Sequence, residues 1–157
     1  MTLLLNWIAT TPLADTLKAS ALFYMIVNAT HILGIGLLLG AILPLDLRLL
    51  GVFRAAPLAI VGPFLSRCAA LGLSLAIVTG AMLFTVRPLE YAGNPAFLAK
   101  LCLLLFGLAN VLACHGGGAW RQSLEQGEAR GWARLFAALS SLTWLSALLA
   151  GRWIGFL

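Results

Sequence analysis

Charge is what this chain has least of. Five of its 157 residues are acidic and ten are Lys or Arg, so charged residues make up 10% and hydrophobic ones 62%. A soluble domain must cover its surface with polar groups, and this balance excludes an ordinary soluble fold. The net charge of +5 is not a nucleic-acid footprint: the basic residues flank apolar runs, where Lys and Arg act as interfacial anchors and topology signals. No nucleic-acid partner is expected. Cysteine is scarce as well. Cys68, Cys102 and Cys114 form no CxxC pair and are odd in number, which argues against a disulfide or zinc framework and for packing roles. The sequence has no nucleophile–base pair, no phosphate-binding loop and no HExxH motif. Residues 1–10 lack the basic start and cleavage site of a removable signal peptide, so the first long apolar run is expected to direct insertion.

What is present is apolar length. Four uncharged runs are bounded by charges: 19–45, 68–86, 101–120 and 135–151. The first, at about 1.5 Å per residue, reaches about 40 Å and exceeds a hydrocarbon core of about 30 Å. The fold class expected is all-α, a single integral membrane domain over 1–157. It is a four-transmembrane-helix bundle with spans at about 19–45, 63–86, 96–116 and 132–156, and with a short interfacial helix at the N-terminus. Thr11 and Pro12 read as an N-cap and first helical residue, with that helix running on into the first span. The first span is expected to end near Pro44 and the second to start at Pro63. The stretches 87–95 and 120–134 read as polar turn and loop, and Glu90, Glu125 and Glu128 as solvated loop groups. Lys and Arg are more frequent in the two connections 45–67 and 116–134, so both termini are expected on the non-cytoplasmic side of the membrane.

Small residues suggest how the helices meet. Gly36 and Gly40 form a GxxxG pair on the first span. Gly72, Ala76 and Gly80 form a four-residue ridge on the second, of the kind that lets backbones approach in lipid.

One titratable group, His31, lies in the middle of the first span. Intramembrane ionisable groups are costly and usually face the bundle interior or a functional site. Tyr24, Asn28, His31 and Gly34 recur at spacings of four, three and three and form one polar-edged stripe. On the third span Lys100, Gly107, Val111 and Cys114 share a face, with Asn110 and His115 at its margins. A haem needs a neutral imidazole, small residues beside the macrocycle and cations near the propionates. His31, Gly34 and Gly107, and Lys100 and Arg152 supply these in turn. His115 is the other histidine and a candidate metal ligand. It lies about 15 Å from the level of His31 by helix rise. A five-coordinate haem, Met82, or a second copy's His31 are the other choices for the sixth position. Alternatively His115 marks a second site with Asp46, Arg48 and Trp120, for another haem or a quinone headgroup, or is an ordinary interfacial histidine. His31 itself has a plainer reading, a hydrogen bond to Asn28, Tyr24 or a facing serine.

Trp7, TPLA (11–14), HILGIGLLLG (31–40), DLRLLG (46–51), TGAMLF (79–84), NPAFLAKL (94–101), His115 and GRW (151–153) together resemble a bacterial family of small four-helix inner-membrane proteins. The resemblance implies the topology and no activity. A more distant likeness is to four-helix membrane haem proteins: the HemJ type of protoporphyrinogen oxidase, the CopD membrane domain and the cytochrome b561 class. His31 and Lys100 look like the HemJ histidine of the first helix and lysine of the third. The function expected is b-type haem binding for electron transfer, alone or as a subunit of a redox complex or homo-oligomer in the lipid bilayer. The alternatives are a HemJ-like oxidase and a cofactor-free transporter or structural subunit.

Overall fold

A threonine ahead of a proline favours a helix start, because the hydroxyl can cap and the proline needs no amide partner. The computed structural model describes residues 2–129 and 131–156. In it Thr11 Oγ1 accepts the Ala14 amide at 3.4 Å and Pro12 opens α2 (Pro12–Ala19). Ahead of it lies α1 (Thr2–Ala9), the short N-terminal helix, with Leu3, Leu4 and Trp7 exposed. The expected run from Thr11 straight into the first span does not occur. Ser20 divides it: its backbone N–H closes α2 on the Thr16 carbonyl, and its Oγ accepts the Phe23 amide at 3.2 Å to cap α3 (Ala21–Leu50).

α3 passes through Pro44 instead of ending there. Membrane helices tolerate an internal proline where neighbouring groups compensate the lost hydrogen bond. The residues beyond it, Leu45, Asp46, Arg48 and Leu49, are all buried, so packing extends the helix. Gly51 stops it. Its φ of +97° is left-handed, and the Gly51 and Val52 amides turn back onto the Arg48 and Leu47 carbonyls. α4 (Leu58–Phe84) likewise starts before Pro63. Its first turns are covered: Leu58 is buried, and Gly62 lies against Trp120 and Leu124. Those two side chains belong to α7 (Ala119–Gln126), a helix within the stretch expected to be loop. The 87–95 turn also holds a short helix, α5 (Pro88–Gly93). Asn94 Oδ1 caps α6 (Pro95–Gly116) by accepting the Ala96 and Phe97 amides at 2.9 and 3.2 Å. α8 (Trp132–Trp153) ends in a 3-10 turn over Ile154–Phe156.

Among the described residues the chain has no strand. Four helices, Ala21–Leu50, Leu58–Phe84, Pro95–Gly116 and Trp132–Phe156, are long and apolar enough to cross a membrane. The chain therefore reads as a multi-pass membrane protein. α3 packs on α4, α6 packs on α8, and α3 against α8 joins the two pairs. α4 and α6 share no extensive contact. At one end they are bridged by Phe84 stacked on Phe97, with Tyr91 beside both. At the other end α7 touches each of them. Asn94 Nδ2 donates to the Ile154 carbonyl at 3.3 Å, so α5, the start of α6 and the end of α8 share one end of the bundle, here called the terminal end.

The α3–α4 pair depends on glycine, but not on the expected pair. A Cβ at Gly34 would lie 2.8 Å from the Ala76 nitrogen, and one at Gly72 would collide with the Leu38 backbone. Gly36 and Gly40 face open space instead. The ridge on α4 thus meets Gly34 and Leu38, on the opposite side of α3 from the GxxxG pair. Replacing Gly72 with Ala should destabilise the detergent-solubilised protein by about 1–3 kcal/mol, because backbone and not a flexible side chain blocks the new methyl. Replacing Gly36 with Ala should leave stability unchanged or raise it by up to about 1 kcal/mol, as helix propensity dictates. Thermal unfolding of the two variants side by side checks both.

Candidate functional site

His31 sits one turn along α3 from the tight contact at Gly34, and that proximity decides its surroundings. Its Nδ1 lies 3.0 Å from Thr79 Oγ1 on α4. The ring rests on Gly80, where a Cβ would come within 3.0 Å of Cε1. Thr79 is buried and has one hydroxyl proton, which it donates to the Leu75 carbonyl at 2.6 Å. The threonine can then offer His31 only an oxygen lone pair. Nδ1 must carry the hydrogen and donate it. The Ala76 carbonyl is a further acceptor beside the ring. In the neutral ring with its hydrogen on Nδ1, Nε2 is left as a lone pair. A metal-ligating histidine has this same arrangement: one ring N–H is spent on a fixed acceptor, which orients the other nitrogen.

Lys100 on α6 lies within electrostatic reach of His31. Its ammonium occupies the space left by Gly151 of α8, where a Cβ would sit 3.3 Å from Nζ. It makes no ion pair or hydrogen bond among the described residues. Tyr24 and Asn28 continue the α3 stripe from His31 towards the terminal end, and both are exposed, without hydrogen-bond partners for their side chains. Tyr24 lies close enough to Tyr91 for the two phenols to interact; burial, followed by that neighbour, pushes the Tyr91 phenol above its ordinary range. Gly34, the fourth member of the expected stripe, faces the α4 backbone instead. His31, Lys100, Asn28 and Tyr24 occupy the terminal-end half of the bundle on α3 and α6.

Other expected members lie elsewhere. Gly34 leaves no room for a macrocycle, because the α4 backbone fills that space. Gly107 is taken by the Trp144 indole, whose Cζ2 would be 3.0 Å from a Cβ there. Arg152 places its guanidinium over the Phe156 ring, 4.9 Å from the centroid. His115 is exposed near the far end of α6; its Nδ1 is 2.9 Å from the Val111 carbonyl and its ring is 5.0 Å from that of Trp120. It lies fifteen residues beyond Lys100, about 22 Å by helix rise, so it cannot share an iron with His31. Asp46 and Arg48 do not join it, since both are buried with other partners. Among the described residues no three His, Cys, Asp or Glu side chains come together as a metal cluster.

The donor set thus fits a haem in part. It offers one axial nitrogen, with an ammonium, an amide and a phenol as donors on the terminal-end side, and no second histidine within reach among the described residues. The glycine-lined hollow anticipated between α3 and α6 does not exist.

The model of a family of unknown function, DUF6644, matches residues 4–157. The chain belongs to that family. No curated protein and no solved structure matches it, and nothing found supports a relationship to HemJ or CopD. For this DUF6644 protein the site has to be read from its own atoms.

Thr79, Gly80 and Gly151 are the members that sequence reading did not assign to the site. Gly80 was visible as part of a ridge and Gly151 within GRW, but only the helix rotations show what each accommodates. Thr79→Ala should leave the His31 N–H without its acceptor and cost about 1–3 kcal/mol. Thr79→Ser, which keeps the oxygen, should recover most of that loss. Denaturation in detergent of the two variants against the parent protein measures the difference.

Proposed function

We propose that this protein binds a b-type haem through Nε2 of His31 and serves in electron transfer within a bacterial inner membrane, alone or as a subunit of a redox complex. The observation that supports the reading is the hydroxyl of Thr79. By spending its proton on Leu75 it fixes the His31 hydrogen on Nδ1 and leaves Nε2 free to bind a metal. Lys100, Asn28 and Tyr24 lie on the terminal-end side of the ring with unused donors, suited to carboxylate groups at a membrane boundary. The haem would supply one-electron chemistry at its iron. The protein's share is to orient the imidazole, hold Lys100 in the notch at Gly151 and shield the site with apolar helices.

Within one chain the iron would have a single histidine ligand. Its sixth position is open, or taken by Met82 or by a residue of a second copy, and in each case His115 takes no part. A quinone headgroup is the second reading, favoured by the same three donors, which could hydrogen-bond quinone oxygens. It makes no use of the bare Nε2, so the haem reading accounts for more of the site.

The purified protein from haem-replete cells should show a Soret band. His31→Ala should abolish it, Thr79→Ala should weaken it, and His115→Ala should leave it intact. A folded, colourless protein that takes up no added hemin overturns the haem reading, and co-purified quinone lost with Lys100→Ala would establish the second.

A further inference from the structure

Asp46 is the only acidic residue within the four membrane-length helices. It is 3% exposed, yet no cation comes within 4 Å of it among the described residues. Arg48, two residues on, is turned elsewhere: Nε donates to the Ala56 carbonyl at 2.6 Å and Nη2 to the Gly127 carbonyl at 3.1 Å. The carboxyl instead meets hydroxyls of α8. Ser141 Oγ donates to Oδ2 at 3.1 Å. Ser140 lies beside the same carboxyl, but its Oγ is buried and makes no hydrogen bond. One turn farther along the same face of α8, the Trp144 indole N–H is also buried without an acceptor. The other titratable group in reach is the buried thiol of Cys114 on α6. Among the described residues no Lys or Arg of α4 or α7 pairs with the carboxyl.

An anion in this place has one good hydrogen bond and no counter-charge, a costly arrangement for a buried carboxylate. A neutral carboxylic acid has a hydrogen to donate, and the Ser140 hydroxyl beside it can accept that hydrogen or turn its own toward the carboxylate. The two serines therefore suit both forms: both can donate to the carboxylate, and Ser140 can also accept from the acid. Asp46 is four residues from the end of α3, about 6 Å by helix rise, so water at the α7 end of the bundle is close.

We propose that Asp46 is a proton-binding site of the membrane domain, taking a proton from water at the α7 end and holding it between α3 and the Ser140–Ser141 pair of α8. The exchange is a single proton transfer: hydronium gives up one proton, the carboxylate becomes an acid, and water is left. The site is separate from His31, fifteen residues or about 22 Å away along α3, and does not depend on what His31 binds.

Dicyclohexylcarbodiimide tests this on the full-length protein in lipid vesicles. The reagent partitions into the membrane and adds across a carboxylic acid, leaving a stable N-acylurea of greater mass. Peptide mass spectrometry should find the adduct on Asp46 and not on exposed Glu90. Labelling should fall with rising pH, by about tenfold per unit above its midpoint. Asp46→Asn should abolish it. Ser141→Ala, which removes the hydroxyl that donates to the carboxylate, should move the midpoint to higher pH. If Asp46→Asn does not fold, the parent profile and the Ser141→Ala shift remain decisive. An unlabelled Asp46 in folded protein, a label independent of pH, or a Ser141→Ala profile superimposed on the parent overturns the proposal.

Discussion

The backbones of α3 and α4 meet at Gly34 and Gly72, where neither glycine has room for a Cβ, and the arrangement around His31 follows from that contact. In lipid no hydrophobic effect draws helices together, so contact surfaces must fit by shape. Two residues without a Cβ allow backbone to meet backbone, and this fixes the rotation of both helices. Thr79 and Gly80 of α4 are then carried round to the His31 ring. A larger residue at either glycine would push the helices apart and take the hydroxyl away from the imidazole. The hydrogen bond is thus a product of the packing, and the tautomer is a product of the hydrogen bond.

The polar groups fall into two sets at different depths. His31, Lys100, Asn28 and Tyr24 lie towards the terminal end, and Asp46 with Ser140, Ser141 and Trp144 lies towards α7. Between them lie the core residues Leu38, Ala41 and Ile42. Each set has hydrogen-bonding capacity that the protein leaves unused: a ring nitrogen, an ammonium and an amide in one, a hydroxyl and an indole N–H in the other. Structural polar groups in a membrane interior are normally satisfied by their neighbours, and this unused capacity is what the two proposals rest on.

The four spans and the polar stripe on α3 could be read from apolar length and residue spacing alone. Helix rotation could not. These helices are apolar on nearly every side, so no amphipathic stripe reports which face is inward. That is why Gly36 and Gly40 were credited with a contact that belongs to Gly34 and Leu38, and why Gly34 and Gly107 were expected to line a hollow that backbone and Trp144 fill. Pro44 suggests the end of the first span, but packing of Leu45 and Leu49 extends α3 beyond it and places the Asp46 carboxyl inside. α7 was missed for a different reason: its sequence is polar, and it is the apolar residues Trp120 and Leu124 on Gly62 that hold it as a helix.

The account depends on which nitrogen of His31 carries the hydrogen. Nitrogen NMR of the 15N-histidine-labelled, haem-free protein in lipid reads this directly, with His31 assigned by the spectrum of His31→Ala. The resonances should show hydrogen on Nδ1 and a bare, unprotonated Nε2, and the pattern should be lost in Thr79→Ala. A His31 ring with its hydrogen on Nε2, or one that Thr79→Ala leaves unchanged, would contradict the account.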